Sequence, residues 1–166
     1  MNKTKWQAKK LDELCNIEYG TRVVNKRDGG SIYPVYGGGG ATFNMDTYNR
    51  EERMILARFA ISEECVRFVQ GKFFLNDSGL TISPKNEQEV MQKYLDKWLL
   101  ANNDLFYSLA RGSAQKNLDV SALRKLDISF PDILAQHHIV KILDDIFSAP
   151  EKAKENAENN LENSRK

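Results

Sequence analysis

The sequence predicts an α+β protein, with a mixed, mostly antiparallel sheet and short helices followed by a C-terminal helix of the coiled-coil type. Three observations predict this class. Segments 53–61 and 65–74 are rich in β-branched and aromatic residues, and 79–83 adds a short third segment, as in neighbouring strands. Segment 126–130 alternates apolar and polar residues, as in a half-buried strand. From Ile139 onward, apolar and small residues recur at spacings of four and three, which is the coiled-coil pattern.

The first forty residues predict a short helix, a basic loop and a glycine-rich turn. Leucines at helical spacing predict a helix over residues 9–16. Segment 21–31 is polar and basic, and it is either a solvated hairpin tip or a phosphate-contacting loop. A predicted strand at 32–36 leads into four glycines at 37–40, and no Lys-Ser/Thr pair follows to make a P-loop. These glycines are therefore expected to form a tight turn with positive φ or to allow close approach to a partner's backbone.

The middle of the chain predicts two helices. Asn86 and Glu89 have the spacing of a capping box, and residues 90–99 then present one apolar face. A second short helix is predicted over 105–111, with Gly112 as its C-terminal stop. Strands and helices do not alternate regularly, which favours the α+β class over a βαβ fold.

The C-terminal segment predicts a helix that requires a partner. Pro131 is expected to end the last strand, and Asp132 precedes apolar residues at helical spacing. A single apolar seam needs a second helix to cover it, and we expect that helix to come from another chain. A helix packed on its own body is the alternative. The heptad positions are Ile139, Leu143, Ile146, Pro150, Ala153 and Ala157, with Leu161 one place beyond the next position.

A proline interrupts this helical pattern. Pro150 is unfavourable inside a helix, at a cost of about 3 kcal/mol. Ser148 and Glu151 have the spacing of a capping box, which predicts that the helix restarts there. The predicted domains are therefore a body over residues 1–131 and a coiled-coil helix over 132–166.

Charge and cysteine content limit the function classes. The whole chain has 24 Lys/Arg and 23 Asp/Glu, but residues 1–130 hold 19 and 16, so the body is mildly basic and has a modest attraction for polyanions. Cys15 and Cys65 lack a CxxC partner, which predicts buried thiols instead of a zinc site or disulfide. The chain has no membrane-spanning apolar run and no signal peptide, so we expect a soluble cytoplasmic protein.

The sequence shows no catalytic motif. It contains no HExxH, Walker or serine-elbow pattern, and no Asn/Asp-Pro-Pro-Tyr/Phe element of amino-methyltransferases. His137 and His138 are adjacent, so on a helix they point about 100° apart and cannot bind one metal ion together. The sequence therefore predicts a binding module.

Several positions together carry a resemblance to a known family. They are Trp6, Leu11, Leu14 and Gly20, the strand at residues 33–37, then Gly112, Gln115, Leu118, Leu123, Leu126, Ile128, Pro131, Gln136, Ile139, Val140, Ile142 and Leu143, and finally residues 152–154 and 159–161. In these positions the chain resembles the specificity subunits of type I restriction-modification enzymes. The similarity runs over about residues 6–163 and is most specific over 112–147.

The resemblance implies a target-recognition domain that binds one half of a split DNA site, followed by a spacer helix. Such subunits usually carry two of each, and the two helices pair as an antiparallel coiled coil. This chain is long enough for one recognition domain and part of one helix.

The resemblance also implies partners. Methyltransferase subunits, which hold S-adenosylmethionine, would supply the catalysis, and a restriction subunit would join them. The chain itself would bind double-stranded DNA and hold no cofactor. The unpaired helix seam further predicts a homodimer, in which two copies pair antiparallel and bind a symmetric, palindromic split target. A protein-interaction module that uses the helix without recognising DNA is the alternative.

The loops hold residues suited to DNA, because Lys and Arg bind phosphates while Arg, Asn and Gln bind base edges. The resemblance implies that Gln115 holds its loop, since the family shares it among members with different targets. A contact to adenine is the alternative. The candidate DNA-binding residues are Arg22, Lys26, Arg27, Gly38, Gly39, Thr42, Arg58, Lys72, Asn76, Arg111, Ser113, Gln115 and Lys116. The candidate subunit-interface residues are Ile139, Leu143, Ile146, Ala153, Ala157 and Leu161.

Overall fold

The computed structural model describes residues 5–163, and it describes side chains as far as residue 148. The strands are β1 (Gln7–Lys10), β2 (Cys15–Tyr19), β3 (Tyr33–Tyr36), β4 (Ala41–Met45), β5 (Arg50–Ala57), β6 (Val66–Leu75), β7 (Gly79–Pro84), β8 (Ala110–Arg111), β9 (Asn117–Leu118) and β10 (Asp127–Phe130). The helices are α1 (Leu11–Leu14), α2 (Asn25–Asp28), α3 (Gln92–Ala101), α4 (Asn103–Ser108), α5 (Val120–Arg124) and α6 (Ile133–Asn163).

A six-stranded sheet forms the centre of the body, in the order β2-β7-β5-β6-β3-β4. Its neighbouring strands are antiparallel except β3 and β6, which run parallel. The predicted hairpin of β5 and β6, and the addition of β7, are both present. The mixed, mostly antiparallel sheet, the short helices and the C-terminal helix confirm the predicted fold class.

A bulge bends the β5–β6 hairpin. The pairing register shifts between Glu51 and Arg53, where Glu52 has a φ of 42°, and such bulges bend a strand. Phe73 and Leu75 follow the bulge on β6. They pack in one cluster with Val69, which precedes the bulge on the same strand, and with Ile55 of β5. The sheet therefore folds over itself and encloses a small apolar cluster of its own.

The main core lies between the other face of the sheet and the helices. Met54 and Leu56 project to this face, opposite to Ile55, because side chains alternate along a strand. They pack with buried residues of α3 and α4, such as Leu95 and Phe106. Val140 brings α6 into the same core.

The first and last strands of the body pair with each other. β1 lies antiparallel to β10, from Gln7 opposite Phe130 to Lys10 opposite Asp127. β10 ends before Pro131, as predicted, and α6 follows directly. The carboxylate of Asp132 accepts a hydrogen bond from the amide of Ala135 (3.0 Å) and so caps the helix. The two ends of the body thus meet where α6 leaves it.

Three helix predictions differ from the structure. The helix predicted over 9–16 is only α1, because the residues before and after it extend as β1 and β2 and pair with β10 and β7. Asn86 closes a turn by accepting from the amide of Gln88 (3.0 Å), so α3 begins only at Gln92. The second helix is α4, and Gly112 lies beyond it, in the β8–β9 turn, with a φ of 113°.

The predicted restart of the last helix is also wrong. α6 continues from Ile133 to Asn163, through Pro150. The hydroxyl of Ser148 donates to the carbonyl of Asp145 in the preceding turn (3.3 Å) instead of capping a new helix. Within residues 5–163, the helices lack the combination of length and apolarity that crossing a bilayer requires.

The two cysteines are buried free thiols, as predicted. Burial raises the pKa of Cys15 to about 12, although the charge of Lys85 acts in the opposite direction. Burial also raises the pKa of Cys65, whose amide donates to the side-chain oxygen of Asn103 (3.0 Å). Both thiols therefore stay protonated at neutral pH and are poor nucleophiles.

Candidate nucleic-acid interface

Five connecting segments are joined by hydrogen bonds into one group, which we call the loop cluster. The amide of Asn76 donates to the carbonyl of Tyr36 (2.8 Å), and the amide of Thr21 donates to the carbonyl of Leu75 (2.9 Å). These bonds fix the segments after β2 and β3 to the turn that follows β6. The loop cluster consists of residues 20–22, 37–40, 58–61, 76–78 and 112–117.

The segment after β5 lies in the middle of the loop cluster. The amide of Arg58 donates to the carbonyl of Ser78 (2.8 Å), while its own carbonyl accepts from the amide of Leu118 (2.9 Å). The amide of Ile61 donates to the carbonyl of Lys116 (2.9 Å). The backbone of this segment is therefore held from two sides, by the β6–β7 turn and by the β8–β9 hairpin.

The side chain of Arg58 lies against two aromatic rings. Its guanidinium carbon is 4.7 Å from the ring centroid of Tyr19 and 4.1 Å from that of Phe59. Both distances are in the range of cation–π interactions, which orient the planar guanidinium. Within residues 5–148, no carbonyl or carboxylate of the protein accepts a hydrogen bond from it. Its N–H donors are therefore available to a ligand.

Backbone strain lies next to this arginine. Ala60 has a φ of 48°, which is unusual for a residue with a side chain. Its amide donates to the side-chain oxygen of Asn117 (3.3 Å), on the neighbouring hairpin. The surrounding hydrogen bonds hold this strained conformation, a situation that is common in binding sites.

The glycines at 37–40 divide into a packed pair and an open pair. A Cβ on Gly38 would lie 2.8 Å from the carbonyl oxygen of Phe59, and one on Gly37 would meet the side chain of Ser78. Gly39 and Gly40 have no such neighbour within 4 Å. The prediction of positive φ at these glycines is wrong, because none of the four has a positive φ. Gly37 and Gly38 allow close approach within the chain itself, whereas a DNA contact at Gly39 stays a prediction.

The basic segment after β2 contains both paired and exposed cations. Arg27 donates two hydrogen bonds to the carboxylate of Asp28 (2.8 and 2.9 Å). That pairing, with a hydrogen bond from the amide of Val24, lowers the pKa of Asp28. Arg22 and Lys26 are exposed, and neither forms an ion pair within the described part of the chain. They are better placed than Arg27 to bind phosphate.

Arg111 and Lys116 have partners inside the protein. Arg111 forms an ion pair with Asp119 (2.6 Å), whose carboxylate also caps α5 by accepting from the amide of Ala122 (2.9 Å). The ammonium of Lys116 donates to the hydroxyl of Tyr107 (2.8 Å). Both cations are exposed but already oriented by neighbours.

The turn of the β8–β9 hairpin presents two candidate polar residues. Ser113 and Gln115 are exposed, and within residues 5–148 the side chain of Gln115 forms no hydrogen bond to the protein. Its backbone carbonyl is close to Gly112, where a side chain would not fit. The loop-holding role expected for Gln115 is therefore visible only in its backbone, and its side chain faces solvent.

Lys72 and Thr42 lie on strands of the large sheet, outside the loop cluster. Lys72, on β6, is opposite Glu51 and lies 4.7 Å from the ring centroid of Tyr48, which raises the pKa of this lysine by hydrogen bonding. Thr42, on β4, is exposed and donates its hydroxyl hydrogen to the carbonyl of Val35 (3.2 Å). The structure therefore does not bring Lys72 together with Arg58.

The described part of the predicted helix seam lies partly on the body. Ile139 packs against the main core, and Leu143 is half-buried. Ile146 is 58% exposed, and the exposed Ile142 and Phe147 lie beside it. Ala153, Ala157 and Leu161 lie outside the described side chains. The apolar surface open to a partner is therefore Ile142, Ile146 and Phe147 rather than Ile139.

A family model of the type I restriction modification DNA specificity domain matches residues 3–162. The chain belongs to this family. Its members are non-catalytic, so this specificity domain is not an enzyme. No curated protein sequence matches the chain.

Solved structures show the same fold. The S subunit of the type I restriction-modification system of M. genitalium is 21% identical and has a TM-score of 0.78, with 98% of this chain and 44% of that chain covered. A chain of a type I R-M system, from work on complex assembly and conformational transition, is 16% identical, with a TM-score of 0.64 and coverages of 95% and 43%. The HsdS subunit from Thermoanaerobacter tengcongensis is 15% identical, with a TM-score of 0.64 and coverages of 94% and 40%. The specificity domain thus spans less than half the length of these chains.

The structure adds residues that the sequence did not indicate. Tyr19 and Phe59 orient Arg58, and Asn117 holds the strained Ala60. Phe59 follows Arg58 at the end of an apolar strand, and this pair is a signal that sequence inspection could have used. Tyr19 and Asn117 are distant in sequence, so only the fold brings them to the same place.

The two kinds of glycine in the β3–β4 turn predict opposite results on substitution. Gly38→Ala should destabilise the domain by about 1–3 kcal/mol, because its Cβ would press against the backbone at Phe59. Gly39→Ala is the matched control and should be within about 0.5 kcal/mol of the parent. Urea unfolding measures both, and equal stability of the two variants would contradict the packing described for the loop cluster.

Proposed function

We propose that the loop cluster binds one half of a bipartite DNA target and that α6 attaches the domain to methyltransferase subunits. The observation that carries this proposal is Arg58. Its guanidinium lies against two aromatic rings at the centre of the cluster, and within residues 5–148 no group accepts a hydrogen bond from it. An arginine held in this way can bind the O6 and N7 atoms of guanine with two parallel hydrogen bonds.

Exposed cations around Arg58 supply the phosphate contacts that such a site requires. Arg22 belongs to a segment that is hydrogen-bonded to the β6–β7 turn, and Lys26 follows on α2. Lys116 belongs to the hairpin on the other side of Arg58. Phosphate contacts orient a protein on the duplex, while base contacts select the sequence. Arg22 and Lys116 therefore lie in segments on either side of a central arginine, an arrangement that suits both tasks.

The two amide candidates differ in what they can offer a base. The side-chain oxygen of Asn76 accepts from both the amide (2.8 Å) and the hydroxyl (2.5 Å) of Ser78, so it is already used. Gln115 presents its whole amide to solvent. A two-bond contact to adenine needs the donor and the acceptor of one amide. Gln115 is therefore the better candidate for such a contact, and Asn76 is better explained by its role in the turn.

The exposed apolar side chains of α6 support its role in assembly. Ile142, Ile146 and Phe147 are large, apolar and exposed on a helix of 31 residues. Methyltransferase subunits, with a restriction subunit added to them, are the partners that we propose for the assembled complex. A second copy of the chain, paired antiparallel, would complete the helix seam and give two recognition bodies.

A protein-interaction module without DNA recognition is the second candidate function, and the same exposed side chains of α6 favour it. The two functions differ at Arg58. A module that only binds proteins gives no reason for a guanidinium held by two rings with its donors unused. A stable complex through α6 that leaves DNA unprotected would support the second candidate.

DNA binding should be sensitive to salt and to the central arginine. A duplex pool with a randomised centre, selected on the domain in complex with a type I methyltransferase subunit, provides the probe. Arg58→Ala should weaken binding to the selected sequence by about 1–3 kcal/mol, which is roughly 5- to 150-fold. Arg22→Ala and Lys26→Ala should each weaken binding to every sequence and reduce the salt slope by about 1.

Two control variants sharpen this test. Arg58→Lys keeps the charge but loses the planar fork, so the salt slope should stay while sequence preference falls. Arg27→Ala removes a cation that is already paired with Asp28, and binding should change little. Affinity that responds neither to salt nor to Arg58→Ala would contradict the proposed DNA surface.

Self-association should depend on the exposed side chains of α6. If two copies pair, Ile146→Asp should raise the dimer dissociation constant at least about tenfold, or 1.4 kcal/mol, because a carboxylate would enter an apolar seam. Lys141→Ala, on an exposed position of the same helix, is the control. Analytical ultracentrifugation measures both. A monomer at high concentration, unchanged by Ile146→Asp, would remove the homodimer.

A further inference from the structure

Gln136 is a buried polar side chain at the place where α6 joins the body. It has no exposed surface, and within residues 5–148 only Thr81 and Gln136 are polar and buried. Burying an amide is costly unless hydrogen bonds compensate for the lost water. Apolar packing of α6 alone would not require an amide at this position, so the contacts of Gln136 need an explanation.

The side chain of Gln136 joins three segments of the chain. Its oxygen accepts from the amide of Met91 (2.9 Å), and its NH2 group donates to the carbonyls of Glu89 (2.8 Å) and Pro131 (2.9 Å). We call these contacts the Gln136 network. It connects α6 to the end of β10 and to the turn before α3.

These hydrogen bonds limit motions that apolar contacts allow. Val140 and Ile139 also attach α6 to the body, through the main core. Asp144 of α6 also forms a partly exposed ion pair with Lys97 of α3 (2.7 Å), and such pairs contribute little. Apolar attraction has no preferred direction, so it constrains the angle of a helix less than buried hydrogen bonds do. Hydrogen bonds weaken steeply as their angle changes, and a buried network is stable only when every member is satisfied. The Gln136 network therefore favours one orientation of α6.

The length of α6 makes its orientation important. The helix has 31 residues, which corresponds to about 46 Å at 1.5 Å per residue. Base pairs in DNA are spaced by about 3.4 Å along the helix axis. A tilt of roughly 4° at the body would therefore move the far end of α6 by about one base-pair step. A complex that recognises two half-sites at one spacing needs α6 to be held within a few degrees.

We propose that Gln136 is a positioning residue that fixes the angle between α6 and the loop cluster, and thereby the spacing at which half-sites are accepted. The angular part depends only on the contacts described above. The spacing part rests on the proposed function, because it requires a bipartite DNA target.

Two variants weaken the Gln136 network, one by removing all three hydrogen bonds and the other by removing one of them. Gln136→Met keeps the length and flexibility of the side chain but removes its hydrogen bonds. Met91→Pro removes only one donor, the amide of Met91, at a residue whose φ of −70° already suits proline. Met91→Ala is the matched control, since it shortens the same side chain and keeps the amide. His137→Ala, at an exposed neighbour of Gln136, is a second control.

The first measurement is the distance between spin labels on the body and on the helix. Labels on Gln70→Cys and Glu155→Cys, in a chain diluted with unlabelled protein, report the orientation of α6 by pulsed electron resonance. In both network variants the distance distribution should broaden or shift by at least about 3 Å, and both controls should match the parent. An unchanged distribution in Gln136→Met and Met91→Pro would overturn the positioning role, whatever their loss of stability.

The second measurement is methylation of duplexes whose half-sites are one base pair closer, at the native spacing, or one base pair further apart. With a type I methyltransferase subunit, the parent should prefer the native spacing by at least about tenfold, and the network variants by about threefold or less. A preserved preference in variants with a broadened distance distribution would overturn the role in spacing. Absence of methylation by the parent would contradict the proposed function and leave the angular result standing on the first measurement.

Discussion

The pairing of β5 on both of its edges is the constraint on which the rest of the structure depends. β6 lies on one side of this strand and β7 on the other, and residues 54–57 are buried. The bulge opposite Glu52, where β6 has one extra residue, bends β5 together with β6, so that turns which a flat sheet would separate come together around the end of β5. Arg58 follows directly, so the guanidinium extends from a rigid central strand. A site placed in this way is oriented more accurately than one on a free loop.

The molecule separates two tasks between two regions. The loop cluster holds Arg58, Arg22 and Gln115, through which we propose that the domain binds DNA. The pairing of β1 with β10 and the Gln136 network join the body to α6, and they do so independently of the loop sequences. This separation explains how one framework could serve specificity domains with different targets.

The sequence predicted the elements whose signals are local. The hairpin of β5 and β6 follows from β-branched and aromatic residues, β10 from strict alternation, and the end of β10 from Pro131. The predicted helix over 9–16 was wrong because Leu11 and Leu14 have helical spacing but form a single turn between two strands. Strand pairing to distant β7 and β10 decided the conformation there, and local spacing contains no information about it.

The candidate site was predicted less completely, because its geometry depends on contacts between distant residues. By residue type alone, Arg27, Arg58 and Arg111 were equivalent candidates for DNA binding. The structure distinguishes them by their neighbours: Arg27 and Arg111 each have a carboxylate partner, whereas Arg58 has the aromatic rings of Tyr19 and Phe59. The pair of Arg27 with Asp28 is adjacent in sequence and could have been anticipated. The other contacts arise only when the sheet bends and its turns meet.

The most direct test of DNA recognition is to map modified adenines in the DNA of a host that expresses the chain with a type I methyltransferase subunit. One split sequence motif should appear only when the chain is present, and Arg58→Ala should alter or abolish it. If two copies of the chain assemble, that motif will be palindromic. A complex that forms normally but leaves the DNA unmodified, or modifies it identically with Arg58→Ala, would contradict the central role of the loop cluster.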